Sequence, residues 1–342
     1  MKPNVASSFV KTARLLCGDP VKRTLPYSYL LARKAVSHGA FLWYLRKRHP
    51  LTVKVEITER CVLNCRMCLR PYLPFYPDLT YKDFCHILNE LRGVRVFSPH
   101  GFGEPLVHPE FLRFMQEVSR RGIQIDLVTN GVLLTEALAE KFLSTCLVKN
   151  IRFSIDGVGE KYEWIRRGAK FEQIVANIRD TVKLRRRLSP ETGVTLYCTL
   201  GSYNLDQILP LARLSKELAV DQLGFSDLTI HGHGLADETH TLRLHRELQH
   251  KAEVELSKAK RIFPKTAFLI KADAVRCTLP YTYAYIQVNG DVFPCTDVLD
   301  YRLGNIFETP FEEIWHGEAM KQFRKNFLVN PREECLSCYN FP

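Results

Sequence analysis

The 342 residues carry 48 Lys or Arg against 37 Asp or Glu, a formal +11, with 46% hydrophobic and 25% charged residues. This is the balance of a globular chain with room for two domains and a sizeable core, and no transmembrane helix is expected, because no apolar run approaches the ~18 residues a helical span needs. The N-terminus lacks the pattern of a secretory signal, so the eleven cysteines are expected as reduced thiols and metal ligands in a reducing cytoplasm.

The charge is uneven. Residues 1–50 hold ten Lys or Arg against the single acid Asp19, and so carry +9 of the +11. Aromatics interleave with the cations in "PYSYLLARKAVSHGAFLWYLRKRH". A basic amphipathic helix of this kind packs its apolar stripe on the fold that follows, lies on an anionic membrane surface, or docks on an acidic partner or nucleic acid. The three readings stay open, and the first domain boundary is placed after residue 50.

From residue 51 the chain alternates. Strand-like runs recur as "VKVEIT" (53–58), "RVFSP" (95–99), "QIDLVTN" (124–130), "NIRFSID" (150–156), "VTLYCTL" (194–200) and "QLGFSDL" (222–228). Helical-period stretches such as "LTYKDFCHILNELR" and "FEQIVANIRDTVKLRRRL" lie between them. Such alternation predicts an α/β fold with a parallel sheet and helical crossovers, a partial (β/α)6 TIM-like barrel over 51–240. Sites in such sheets sit at the C-terminal strand ends.

Three of those ends carry chemistry. After the first run comes "CVLNCRMC", with Cys61, Cys65 and Cys68; the next cysteine, Cys85, falls in a predicted helix. Half a zinc site is one reading. A cubane cluster with one open iron is the other, since soft thiolates suit both. After the second run, "GFGEP" puts the carboxylate of Glu104 on a tight backbone; it lacks the Lys-Ser/Thr of a phosphate-binding loop. After the fourth, "SIDG" places Ser154 and Asp156 on one side of an alternating strand, where they can bond a ribose or cap the turn.

Residues 241–342 read as a linker helix and a small hairpin-plus-helix domain with its own thiols, Cys277, Cys295, Cys335 and Cys338. "YAYIQV-NG-DVFPC" predicts a hairpin with a type I′ turn at Asn289-Gly290. "TPFEEIWHGEAMKQFRKNF" predicts a helix with Thr309 as N-cap, Pro310 at its first position and Glu312 completing a capping box. The hairpin brings Cys277 near Cys295, and the helix returns the chain so that "CLSC" closes the site. Four thiolates complete a ligand set for a structural zinc or for a closed cluster. Of the remaining cysteines, Cys17, Cys85 and Cys146 read as packing residues. Cys198, on the fifth strand, packs or faces the barrel. His231 and His233 alternate in a polar loop after the sixth strand, which is solvated or lines a substrate mouth.

The cysteine triplet, "GEP" and "SID" at successive strand ends together resemble the radical S-adenosylmethionine (radical SAM) superfamily, over roughly residues 51–342. The resemblance implies that Cys61, Cys65 and Cys68 ligate a [4Fe–4S] cluster whose open iron is chelated by SAM. It implies further SAM contacts from Gly103, Glu104 and Pro105, with the Glu104 carboxylate receiving the SAM ammonium. Ser154 and Asp156 would contact the ribose, Arg166 the SAM carboxylate, and Asn130 would line the site. The residue before the third cysteine is usually aromatic in the family and rests near adenine; here it is Met67. Val62 stands where Asn is frequent. The pattern Cx17C, "GN", "EIW", CxxC resembles the SPASM/Twitch extension, whose single-cluster Twitch form fits a chain that stops four residues after the last cysteine. That implies an auxiliary [4Fe–4S] cluster on Cys277, Cys295, Cys335 and Cys338.

What the resemblance implies for activity is reductive SAM cleavage to a 5′-deoxyadenosyl radical, which abstracts hydrogen from an unactivated carbon. With a closed auxiliary cluster nearby, net oxidation or bond formation is the first expectation. Epimerisation is the alternative, with Cys198 as hydrogen-atom donor. The substrate class stays open among sugar or aminoglycoside-like, lipid-linked and peptide substrates, with a flavodoxin- or ferredoxin-type reductant. A short basic N-terminal segment disfavours leader-peptide recognition and favours an anionic substrate. A non-catalytic iron–sulfur or zinc protein binding nucleic acid through its basic arm is the reading of another class, and no nucleic-acid-binding signature supports it.

Overall fold

Runs of β-branched and aromatic residues broken by turn residues fold as short parallel strands because each buries apolar side chains on the face the crossover helices cover. The computed structural model describes residues 49–229, 234–242, 244–268, 277–332 and 335. The basic segment up to Arg48, and with it Cys17, His231, His233 and Cys338, lies outside the described residues.

Ten strands form one sheet, numbered in chain order as β1 (Thr52–Val55), β2 (Val96–Ser98), β3 (Gln124–Thr129), β4 (Val148–Ser154), β5 (Gly193–Leu200), β6 (Gln222–Asp227), β7 (Thr266–Phe268), β8 (Tyr283–Ile286), β9 (Asp291–Phe293) and β10 (Gly304–Asn305). Their order is β10-β9-β8-β1-β2-β3-β4-β5-β6-β7. Strands β8 and β1 through β7 pair in parallel, while β9 and β10 add on antiparallel. The six expected strands are all present, and the partial-barrel expectation holds with a seventh and eighth parallel strand. No local pattern marks β7, which has three residues. The partner of β8 is a strand some 230 residues earlier in the chain, since Tyr285 pairs with Lys54. The expected border at residue 240 is not a break in the sheet: β7 to β10 continue it on both flanks.

The helices are α1 (Tyr81–Glu90), α2 (Phe111–Arg120), α3 (Glu136–Thr145), α4 (Glu160–Ile165), α5 (Phe171–Leu188), α6 (Ile208–Glu217), α7 (Arg246–Ile262), α8 (Leu279–Thr282), α9 (Phe311–His316) and α10 (Glu318–Val329). Thr80 caps α1, its hydroxyl accepting from the Asp83 N–H at 3.1 Å. On α2, Phe111, Phe114, Met115 and Val118 recur at helical spacing and are all buried. Phe114 stacks on Phe84 of α1 with centroids 4.1 Å apart, and Phe84 meets Phe97 of β2 edge-on at 5.7 Å. Phe97 therefore faces the helices. By the parallel registers, Val53 lies on that face beside Phe97, as do Ile151 with Leu127 and Leu196 with Phe153. The opposite face carries Lys54, Ser98, Asp126, Arg152, Ser154 and Tyr197. The sheet is thus apolar towards its helices and polar on its inner face.

Two expectations for the C-terminal region are corrected. Gly290 has φ +86°, but Asn289 is not left-handed, as a type I′ turn would require. The turn instead runs Gln287–Gly290, closed by Gly290 N–H to Gln287 O at 2.9 Å, with Gly290 supplying a left-handed bulge residue. Asn289 is held otherwise because its Oδ1 accepts the Asp291 N–H at 3.1 Å. The long helix is two helices, broken at an extended Gly317, and the residue before the first is Pro310, without the expected Thr309 capping box. Glu90 at the end of α1 accepts the Phe311 N–H at 3.0 Å, so a tertiary contact does the local cap's work. Among the described residues no helix is long and apolar enough to cross a membrane.

Candidate functional site

The loop after β1 carries the three cysteines, all half-buried and unbridged. Its backbone is clamped to the chain following α4, with Asn64 N–H to Arg167 O and Arg66 N–H to Ile165 O, both 2.9 Å. A turn closes the loop through Cys68 N–H to Cys65 O at 3.1 Å, with Met67 half-buried inside it. Donors surround the sulfurs. Leu63 N–H lies 3.4 Å and Asn130 Nδ2 3.6 Å from Cys61 Sγ, and Arg166 Nη1 lies 3.9 Å from Cys65 Sγ. Burial pushes the Cys61 thiol up and Cys65 up to about 11, with the Arg166 guanidinium pulling Cys65 back. Thiols so placed become ligands when a cation takes the proton's place.

The "GFGEP" loop fits against this one. Glu104 N–H donates to Arg60 O at 2.8 Å, and a side chain at Gly103 would run into the Thr58 carbonyl. Glu104 is buried, and its two oxygens accept from Leu106 N–H (3.2 Å), Thr129 Oγ1 (2.7 Å) and Asn130 N–H (2.7 Å). Burial nonetheless lifts it to about 7. The carboxylate thus joins the ends of β2 and β3 and aims the Asn130 side chain at Cys61. Pro105 is buried and opens a short 3-10 turn.

The end of β4 supplies Ser154, half-buried on the inner face opposite Tyr197, and then Asp156. Asp156 has no exposed surface; it accepts the Thr199 N–H at 2.8 Å and pairs with Arg166 Nε at 2.7 Å. Expected as separate SAM contacts, these two residues are joined to each other. The structure also moves Cys198 away from the inner face. It shares the helix-facing side of β5 with Leu196 and Leu200, lies opposite Phe225, and is fully buried. Asn204 Nδ2 approaches its sulfur at 3.6 Å. A thiol facing the helix layer cannot meet a substrate on the inner face, so the barrel-facing option for Cys198 is withdrawn; strand parity decided it.

Two residues went unnoticed in sequence. Glu56, just past β1, accepts Phe102 N–H (2.5 Å), Gly103 N–H (3.3 Å) and Tyr285 Oη (2.9 Å), tying the Gly-rich loop to β8. Lys54 stands on the inner face with no ion pair among the described residues, its ammonium 5.7 Å from the Tyr285 ring centroid. Burial pushes it down to about 8, with Asp297, Glu56 and Cys295 pulling the other way. The available signal was an acid and a lysine inside the otherwise apolar "VKVEIT". The auxiliary thiols Cys277, Cys295 and Cys335 line one apolar cavity with Pro280, Phe323 and Phe327. Burial lifts Cys277 to about 11. Among the described residues, neither cysteine set draws three donor atoms within 4.8 Å of one another.

Thiols with N–H donors around them at the C-terminal end of β1, and a second thiol-lined cavity fed by the β8–β9 hairpin, define an iron–sulfur protein with two metal centres. The Radical SAM superfamily profile matches residues 55–215, and SPASM, described as an iron–sulfur cluster-binding domain, matches 277–339. The chain belongs to the radical SAM superfamily and carries a C-terminal SPASM domain; its cofactors are SAM and two iron–sulfur clusters. It is similar to a tungsten-containing aldehyde ferredoxin oxidoreductase cofactor-modifying protein of Pyrococcus furiosus, 27% identical over 317 residues, covering 82% of this chain and 86% of that one. A PqqA peptide cyclase of Bradyrhizobium diazoefficiens is 28% identical over 190 residues, covering 54% of this chain and 48% of that one. In fold, the chain matches Streptococcus suis SuiB bound to precursor peptide SuiA, with TM-score 0.68, 18% identity and coverage of 98% and 83%.

Proposed function

We propose that this enzyme holds a [4Fe–4S] cluster on Cys61, Cys65 and Cys68 and a second on Cys277, Cys295, Cys335 and Cys338, and oxidises or cross-links a polar substrate lying over the inner face of the sheet. Bound SAM supplies a 5′-deoxyadenosyl radical for hydrogen abstraction. The observation that carries the reading is convergence: Asn130 from the end of β3 and Arg166 after α4 both reach cluster-loop sulfurs, within 3.6 and 3.9 Å. Gly103, Glu104 and Pro105 shape the floor, Ser154 faces the inner space, and Met67 offers an apolar surface to adenine. Asp156 holds Arg166 in place.

The inner face favours a substrate with an anionic group, because Lys54 presents an ammonium there that makes no ion pair among the described residues, with Asp297 and the second thiol cavity at its side. A carboxylate-bearing peptide satisfies that chemistry, and the similarity to a PqqA peptide cyclase supports a peptide over a sugar or lipid-linked substrate. Arg70 and Arg167 line an open cavity of about 510 Å³ beside Cys61, a surface suited to an acidic one-electron carrier. Thiol-ligated clusters with an open iron call for a reducing cytoplasm. Surface attachment to a membrane rests only on the composition of residues 1–50.

The test is anaerobic reconstitution followed by iron analysis and 5′-deoxyadenosine release with SAM and dithionite. About eight irons per chain are expected from two cubanes. Cys61→Ala should lose about four of them and all release; Cys295→Ala should lose about four and keep release. Full cluster loading with no release would overturn the proposal.

A further inference from the structure

Among the described residues, one set of side chains able to bind a metal lies outside both cluster sites. His49, immediately before β1, comes together with Glu312 and His316 of α9, their ligand atoms all within 4.8 Å of one another. Glu312 and His316 are four residues apart on one helix and so share a face. His49 Nε2 stands 3.3 Å from Glu312 Oε2, and the two imidazoles meet edge-on with centroids 5.7 Å apart. His49 is held where it is by the start of the sheet, since Leu51 N–H donates to Thr282 O at 2.9 Å. The backbone on both sides is fixed before any ion arrives.

His49 turns Nε2 towards Glu312, and its buried Nδ1 has no hydrogen-bond partner among the described residues, so no described protein group fixes the ring's tautomer against metal binding. The second imidazole, His316, is half-buried on the same helix face as Glu312. Arg324, beside His316, is engaged by backbone oxygens: it donates to Pro280 O at 2.8 Å and Trp315 O at 3.1 Å and lies over the Trp315 ring. Two imidazoles and a carboxylate form a borderline donor set that suits zinc, with the fourth position left to water.

We propose that His49, Glu312 and His316 bind a zinc ion, a third metal site that clips the entrance of β1 to the first helix after the β10 strand. The site is independent of the SAM chemistry proposed above. It joins the strand that leads to Cys61 with the domain that carries Cys277, Cys295 and Cys335. A clip there fixes the two cluster-bearing parts to one another at the N-terminal end of β1, where Leu51 N–H also meets Thr282 O ahead of β8.

Cluster-loaded protein, prepared anaerobically, is equilibrated with a small excess of zinc sulfate, desalted, and assayed for zinc and iron together with its melting temperature. The wild type should keep one zinc per chain with unchanged iron and melt higher than without zinc. His316→Gln and Glu312→Gln should each weaken zinc binding by about tenfold or more, the loss that even an outer-shell partner costs, and abolish the zinc-dependent rise in melting. Glu312 is exposed, so its variant keeps the test valid if His316→Gln folds poorly. Absence of zinc in the wild type, or equal zinc in wild type and both variants, overturns the site; the second result would place the ion on vacant cysteines.

Discussion

Arg166 and Asp156 offer the sharpest test of how the SAM site is built. The Arg166 side chain is 11% exposed and that of Asp156 not at all, so the pair is desolvated. Arg166→Met strands a buried carboxylate with only the Thr199 N–H to satisfy it, and Asp156→Asn strands a buried guanidinium beside Cys65. Removing one partner of such a pair costs about 3–5 kcal/mol, chiefly because the other charge remains buried. The double variant removes both charges, so it should recover part of that loss, with a coupling of about 2 kcal/mol or more against simple addition. The assay is urea unfolding of the metal-free protein in reductant for wild type, both singles and the double. Losses that add to within about 0.5 kcal/mol would refute the pair as a unit. Additive losses appearing only in SAM affinity would restore the reading in which one residue serves the ribose and the other the carboxylate.

Tyr285→Phe removes a 2.9 Å bond to the buried Glu56 carboxylate and should cost about 1–3 kcal/mol by urea unfolding, more than a surface Tyr→Phe; an unchanged midpoint would count against the strap between β1 and β8. Glu104 sits at about 7 in the fold against an ordinary 4.5, so the folded protein binds its proton more tightly than the unfolded chain does. Stability from this residue is therefore greatest at low pH and falls by up to about 3 kcal/mol as pH climbs from 4.5 through 7. Glu104→Gln should flatten that slope in metal-free protein, and parallel pH profiles would refute the assignment. Cys198→Ala should cost about 1 kcal/mol through lost packing and leave 5′-deoxyadenosine release intact; a tenfold loss of release in a stable variant would reinstate it as a catalytic thiol.

The sequence made legible whatever was local. Parallel-strand runs announced themselves by β-branched residues, and the metal sites by the spacing of cysteines within a few residues. Asn130 was expected from its place at a strand end, and Arg166, which follows α4, only from the family resemblance. What stayed hidden depended on partners distant in the chain. Glu56 gains its meaning from Tyr285, 229 positions away. The cap of α9 comes from Glu90, 221 positions away, so the local Thr-Pro pattern misled. Cys198 shows a different limit: alternation along β5 assigned it a side, but which side faced the helices needed the Phe84–Phe97 contact and the registers that carry it across the sheet.

Strand β1 explains why two metal sites can share one sheet. It pairs with β2 on one edge, whose end leads into the Gly-rich loop, and with β8 on the other, whose hairpin leads to Cys295. Its own C-terminal end delivers Cys61. The inner-face residue Lys54 and the following Glu56 then reach both flanks, Glu56 by hydrogen bonds to Phe102, Gly103 and Tyr285, and Lys54 by its place over Tyr285 near Asp297. A displacement of β8 is therefore felt at the Gly-rich loop through one carboxylate. The position of the second thiol cavity and the shape of the SAM floor are coupled by this strap, which is the physical basis for expecting substrate between them to be handled by both.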